Sequence, residues 1–168
     1  MKAMTIAALL AAVAGTANAA ECEMEKAVYG QPGSNWVLRF TPVPRDAAVN
    51  QVAAFTVELP NSGDTLVGAV HEPNGYGSSA GSIDSPACSA TEAELADDPE
   101  LCELWRATVY ALDGDVLGQL AKDDSTPAPA QILLPDFAQA VWYSLRREAE
   151  WVGEQSPGDA FVFTECAE

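Results

Sequence analysis

The stretch V-A-A-F-T-V-E-L (Val52–Leu59) gives the clearest indication of the fold class, because its bulky apolar side chains recur at every second residue. Phe55, Val57 and Leu59 fall on one face, which is the pattern of a β-strand with one face buried. The stretch N-W-V-L-R-F-T-P-V (Asn35–Val43) alternates in the same way. Two such strands close together in sequence favour an antiparallel sheet.

Turn-forming residues separate these two stretches from further strand-like segments. Clusters of Gly, Pro, Asn and Asp separate the segments, as is typical of antiparallel strands joined by short turns. The other predicted strands are Lys26–Gly30, Thr65–His71 and Ala160–Thr164. The Asp113-Gly114 pair lies between two apolar runs and predicts a β-hairpin, because a two-residue type I′ turn needs positive φ at both central residues.

One helix is predicted near the C-terminus, over Phe137–Val152. Phe137, Val141 and Leu145 recur at four-residue steps, and a Pro-Asp pair directly precedes them. A shorter helix that ends near Ser144 stays open. The predicted fold class is therefore mainly β or α+β: an antiparallel β-sheet or sandwich with one C-terminal helix and a short disulfide-clasped helical excursion.

The first nineteen residues have the features of a secretory signal peptide. Lys2 precedes an apolar run, and Ala17-Asn18-Ala19 is a small-x-small cleavage site. The run of about a dozen apolar residues is shorter than the ~20 residues that a membrane-spanning helix needs, so no membrane insertion is expected. We predict that residues 1–19 are removed and that residues 20–168 form a single acidic, disulfide-stapled domain, exported to the periplasm or the extracellular medium.

Four cysteines in an exported protein indicate disulfides. Three pairings are formally open, and we favour Cys22–Cys166, which ties the two ends together, and Cys88–Cys102, which encloses two short helical turns. Zinc sites commonly use closely spaced Cys pairs such as C-x-x-C, and the chain contains none. We therefore predict neither a metal site nor a cofactor.

The charge balance limits the classes of partner. The chain has 25 acidic and 8 basic residues, and removal of Lys2 with the leader leaves seven basic residues and a net charge of −18. A field of this sign repels nucleic acid and attracts basic proteins, although solubility or adaptation to salt produces the same bias. We expect a basic exported protein as partner, for example a cationic wall-degrading enzyme such as a lysozyme. The predicted contact residues are Tyr76, Asp97, Asp98 and Glu100, and the oligomeric state is left open.

Residues 77–81, Gly-Ser-Ser-Ala-Gly, match the G-x-S-x-G pattern of a hydrolase nucleophile elbow. Such an elbow needs a strand, a sharp turn and then a helix, whereas Pro86 follows soon after the match. The chain's one histidine, His71, precedes Ser79, the reverse of the order in the fold that uses this elbow. We therefore interpret the match as a flexible loop and favour a non-catalytic binding or accessory protein. The alternatives are a small serine hydrolase using Ser79 with His71, and weak Ca²⁺ binding that involves Asp115.

Overall fold

The computed structural model describes residues 19–74, 77–84, 103–120, 126–143 and 158–168, which form one antiparallel sheet and one α-helix. The strands run in the order β6-β5-β4-β3-β2-β1-β10-β9-β7-β8 across the sheet. The predicted fold class, mainly antiparallel β with a helix near the C-terminus, is confirmed. The elements are β1 (Ala27–Gly30), β2 (Val37–Thr41), β3 (Gln51–Leu59), β4 (Asp64–His71), β5 (Ala80–Asp84), β6 (Glu103–Thr108), β7 (Tyr110–Asp113), β8 (Val116–Gln119), β9 (Gln131–Leu133), α1 (Phe137–Tyr143) and β10 (Ala160–Cys166).

Strands β2 and β3 bury the faces that the alternation predicts. Leu38 and Phe40 of β2 are buried, while the residues between them are only partly covered. Phe55, Val57 and Leu59 of β3 are at most 2% exposed. Because successive side chains of a strand point to opposite faces, one apolar set can supply the core of the molecule.

The sheet curls, because strands from opposite ends of the strand order, β6 and β7, directly follow each other in the chain. Strand β6 lies at one end of the strand order, and β7 lies next to the other end. A single residue, Val109, joins β6 to β7, and this residue is completely buried. Strands β5 and β9 therefore flank one nearly continuous stretch of chain, and the buried side chains face a common interior.

Helix α1 covers the interior at the end where β1 turns into β2. The ring of Phe137 packs edge-on against Trp36 and Trp105, with centroids 5.8 Å and 6.0 Å away. The indole N–H of Trp105 donates a hydrogen bond of 2.8 Å to the carbonyl oxygen of Pro135, directly before the helix. An aromatic pair of this geometry adds about 0.5–1.5 kcal/mol beyond area burial.

The first turn of α1 is capped by a residue distant in sequence. The carboxylate of Asp159 accepts hydrogen bonds from the N–H groups of Asp136, at 3.0 Å, and Ala138, at 3.1 Å. Asp136 itself has a φ of 61°, which a residue with a side chain rarely adopts. The predicted start at Phe137 is confirmed, and the remainder of the predicted helix, residues 144–152, lies outside the described residues.

Cys22 and Cys166 form the predicted disulfide, with Cα atoms 5.7 Å apart. Cys166 ends β10 opposite Ala27 of β1, and Cys22 lies just before β1 rather than within it. The bridge links residues 144 positions apart, and the loop-entropy model assigns about 5 kcal/mol to so long a loop. The bond is compatible with an oxidising, exported compartment. The predicted partners Cys88 and Cys102 lie outside the described residues.

The β7–β8 hairpin is present, but its turn lies one residue later than predicted. Asp113 pairs with Val116, so the two central residues are Gly114 and Asp115. Of these two, Gly114 has positive φ, at 58°, and Asp115 does not; this is the type II′ pattern rather than type I′. Gly114 occupies the first central position, where a type II′ turn prefers glycine, and Asp113 pairs within the strand while its carboxylate accepts a hydrogen bond from the N–H of Ala130, at 2.8 Å.

Candidate functional site

The glycine-serine segment is only partly the loop that the sequence predicts. Ala80 and Gly81 begin β5, which pairs with β4 on one side and β6 on the other. A side chain at position 81 would bring its Cβ to 2.5 Å from Val109 and 2.9 Å from Trp105. Gly81 is thus required by close packing inside the sheet, so the prediction of a loop through residue 81 was wrong.

The sheet places Ser79 and His71 on opposite faces. His71 ends β4 and pairs with Ala80, so these two side chains share a face. Ser79 is the neighbour of Ala80 and projects to the other face, which agrees with its exposure of only 2%. A nucleophilic serine needs its base within about 2.6–3.2 Å, and this arrangement does not present the two side chains to each other.

Gln119 holds the glycine-serine segment against the hairpin. Its side-chain N–H donates to the hydroxyl of Ser78 at 3.0 Å, and its side-chain oxygen accepts the backbone N–H of Ser79 at 3.4 Å. Sequence reasoning missed this residue, because about forty residues separate it from the serines. The contact places the end of β8 beside the start of β5.

A second loop lies at the same end of the molecule. The backbone N–H of Glu72 donates to the carbonyl of Asn50 at 2.9 Å, and the side-chain amide of Asn50 donates to the carbonyl of Glu72 at 2.9 Å. Residues 42–50 join β2 to β3, at the end of β2 opposite to the end that α1 covers. This end therefore combines the loop at 42–50, residues 72–74 and 77–79, and the end of β8, and we call it the open end.

Strand β8 is the most exposed strand that the structure describes. All four of its residues are exposed, including the apolar side chains of Val116, at 70%, and Leu117, at 57%. Within the described part of the chain it pairs with β7 alone. We define the hairpin edge as the side of residues 116–119 that faces away from β7.

The basic side chains of the described segments are largely taken up by local ion pairs. Three such pairs are formed, Lys26–Glu23, Arg39–Glu58 and Arg106–Glu103. Each joins partly exposed groups, so solvent screening leaves each pair with only a small contribution to stability. Because these cations are paired locally, the excess of carboxylates makes the electrostatic potential around the protein negative.

The carboxyl group of Asp84, at the end of β5, has a raised pKa. Partial burial, and then the nearby carboxylate of Glu103, raise the pKa of Asp84 above its usual value, while Arg106 and His71 act in the opposite direction. The group thus retains its proton to a higher pH than a free aspartate does.

The remaining predicted site residues are only partly located by the structure. Tyr76, Asp97, Asp98 and Glu100 lie outside the described residues. Asp115 is exposed in the hairpin turn, and over the described ranges no three His, Cys, Asp or Glu side chains gather closely enough to hold a metal ion. No helix in those same ranges has the length and apolar character to cross a membrane.

Comparison with known proteins adds no assignment. No family model matches the chain, and neither the curated proteins nor the solved structures contain a significant match. The candidate site therefore stands on its own geometry: an open end with an exposed hairpin edge, in a strongly acidic chain.

Proposed function

We propose that this is a non-catalytic, exported accessory protein that binds a basic protein through its acidic surface. The observation that carries the proposal is the charge: 25 acidic against 8 basic residues, with three of the four lysines and arginines in the described ranges, Lys26, Arg39 and Arg106, paired to carboxylates. The signal-peptide-like leader and the disulfide support export. The opposite faces taken by Ser79 and His71 favour binding over hydrolysis.

The physical basis of the interaction is steering at long range and anchoring at short range. In physiological salt a charge acts over a Debye length of about 8–10 Å, so an acidic surface accelerates the approach of a basic partner. Affinity then depends on apolar groups that become buried in the complex. Exposed Val116 and Leu117 supply such groups at the open end.

The experiment measures the association and dissociation rates of the mature chain, residues 20–168, with a lysozyme as the basic probe. Expected is a fall in the association rate of about tenfold or more between roughly 50 and 200 mM salt, with little change in dissociation. An acidic protein of similar size is the control and should not bind. Asp97→Asn with Asp98→Asn should slow association more than it speeds dissociation.

Two results would contradict the proposal. Binding that does not respond to salt would show that the charge serves solubility alone. The absence of binding to lysozyme and to a panel of other basic exported proteins would remove the basic partner altogether.

A further inference from the structure

We propose that the hairpin edge is the docking element for that partner, and that it accepts an extended basic segment as an additional strand beside β8. The inference rests on the proposed function and deepens it, because it names the surface and the form of the ligand. Strand addition uses main-chain hydrogen bonds for affinity and alternate side chains for specificity.

The hydrogen bonding of the hairpin shows which backbone groups are available. The N–H of Leu120 donates to the carbonyl of Val109 at 3.4 Å, so the backbone N–H of residue 120 points to the β7 side. Inward and outward groups alternate along an antiparallel strand. The N–H and C=O groups of Val116 and Gly118 therefore point towards β7, whereas those of Leu117 and Gln119 point away from it.

The edge is accessible and held in place. Val116 and Leu117 are exposed, and a Cβ built on Gly118 would meet no atom within 4 Å. The side chain of Gln119 is hydrogen-bonded to Ser78 and Ser79, which anchors the C-terminal end of β8 to the start of β5. A strand that is already extended loses less conformational entropy on binding than a flexible loop does.

Charge selects a basic segment over a second copy of the chain. Asp115 lies in the turn that leads into β8, close to Asp113 at the end of β7, and the whole chain has a net charge of −17. Pairing of two β8 strands would bring two such acidic turns into one interface, and like charges side by side are unfavourable. An added strand in which lysines or arginines alternate with β-branched residues would instead place positive charge near the exposed carboxylate of Asp115.

The first test uses a peptide of alternating lysine and valine as probe, and hydrogen exchange of individual amides as readout. Saturation with the peptide should slow exchange of the Leu117 N–H by about tenfold or more, because that N–H enters a ladder bond. The control is a peptide of alternating lysine and proline, which has the same charge but cannot continue a ladder. Unchanged exchange at Leu117, or equal binding of both peptides, would overturn the inference.

The second test separates the edge from the charge, with lysozyme as probe. Leu117→Pro removes the outward N–H without removing a hairpin hydrogen bond, and its matched control Leu117→Ala keeps that N–H. Leu117→Pro should lower affinity about fivefold to tenfold relative to Leu117→Ala. Equal affinities would overturn docking at the hairpin edge but would leave the binding of a basic partner intact. Failure of the unaltered chain to bind any basic protein would instead overturn the proposed function, and with it docking at the edge.

Discussion

Strands β3 and β8 belong to the same sheet, but they contribute to it in different ways. β3 has a neighbour on each side and buries Phe55, Val57 and Leu59 in the core. β8 pairs with β7 at the end of the strand order, and all four of its residues are exposed.

The two strands differ in how much a substitution is expected to change the stability of the fold. A residue of β3 is constrained by its packing, since its substitution leaves a cavity or a clash in the core. A residue of β8 makes few packing contacts, so folding places little demand on its identity. The exposed apolar residues Val116 and Leu117 therefore have little part in the core.

The largest expected effect is that of Phe55→Ala. The ring of Phe55 is 2% exposed and packs 5.7 Å from the ring of Phe40. We expect its truncation to lower the free energy of unfolding by about 3–5 kcal/mol, whereas Val116→Ala should change it by no more than about 0.5 kcal/mol. Urea denaturation of both variants is the measurement. Comparable losses would break the contrast between the two strands.

Two glycines provide a matched pair. Gly68 of β4 lies opposite Phe55, and an added Cβ would meet the Phe55 ring at 2.3 Å, whereas Gly118 has open space around it. Gly68→Ala should cost about 1–3 kcal/mol of unfolding free energy through overpacking. Gly118→Ala should raise stability by about 0.5 kcal/mol, because glycine is the less favourable residue within a strand. A large loss in Gly118→Ala would mean that the face of β8 at Gly118 is covered.

A smaller effect is expected where β8 is anchored. Gln119→Ala removes the hydrogen bonds to Ser78 and Ser79, and should cost about 0.5–1 kcal/mol while speeding hydrogen exchange of the Ser79 N–H. Gln119→Glu keeps an acceptor for that N–H and should retain much of its protection. Unchanged exchange in Gln119→Ala would show that the end of β8 is held by other contacts.

The smallest effect concerns pH. Burial and Glu103 raise the pKa of Asp84 in the folded state, so folding favours the protonated carboxyl, and its contribution to stability declines as pH rises through that pKa. Asp84→Asn should raise the melting temperature at pH 7, and the gain should vanish at about pH 3, where the unfolded group is also protonated. Asp115→Asn removes the same charge from the exposed turn and should leave the melting temperature unchanged. A gain in Asp84→Asn that is independent of pH would contradict the assignment.

The sequence alone predicted the fold class, the buried faces of β2 and β3, the start of α1 and the Cys22–Cys166 bond. These depend on local or covalent regularities: a two-residue period follows from the pleat of a strand, and a four-residue period from the pitch of a helix. For the candidate site it identified the glycine-serine segment and the hairpin, but not the contact between them.

Tertiary structure decided the features that depend on close approach between distant residues. Sequence alone predicts Gly81 to be a loop residue, and only the close approach of Val109 and Trp105 shows that glycine is needed there for packing. The turn of β7–β8 begins one residue later than predicted, and Asp113 is in the strand, where its carboxylate accepts the distant N–H of Ala130. Gln119 reaches the serines across about forty residues, and no local pattern encodes that contact, because it arises only when the curled sheet brings the start of β5 and the end of β8 together.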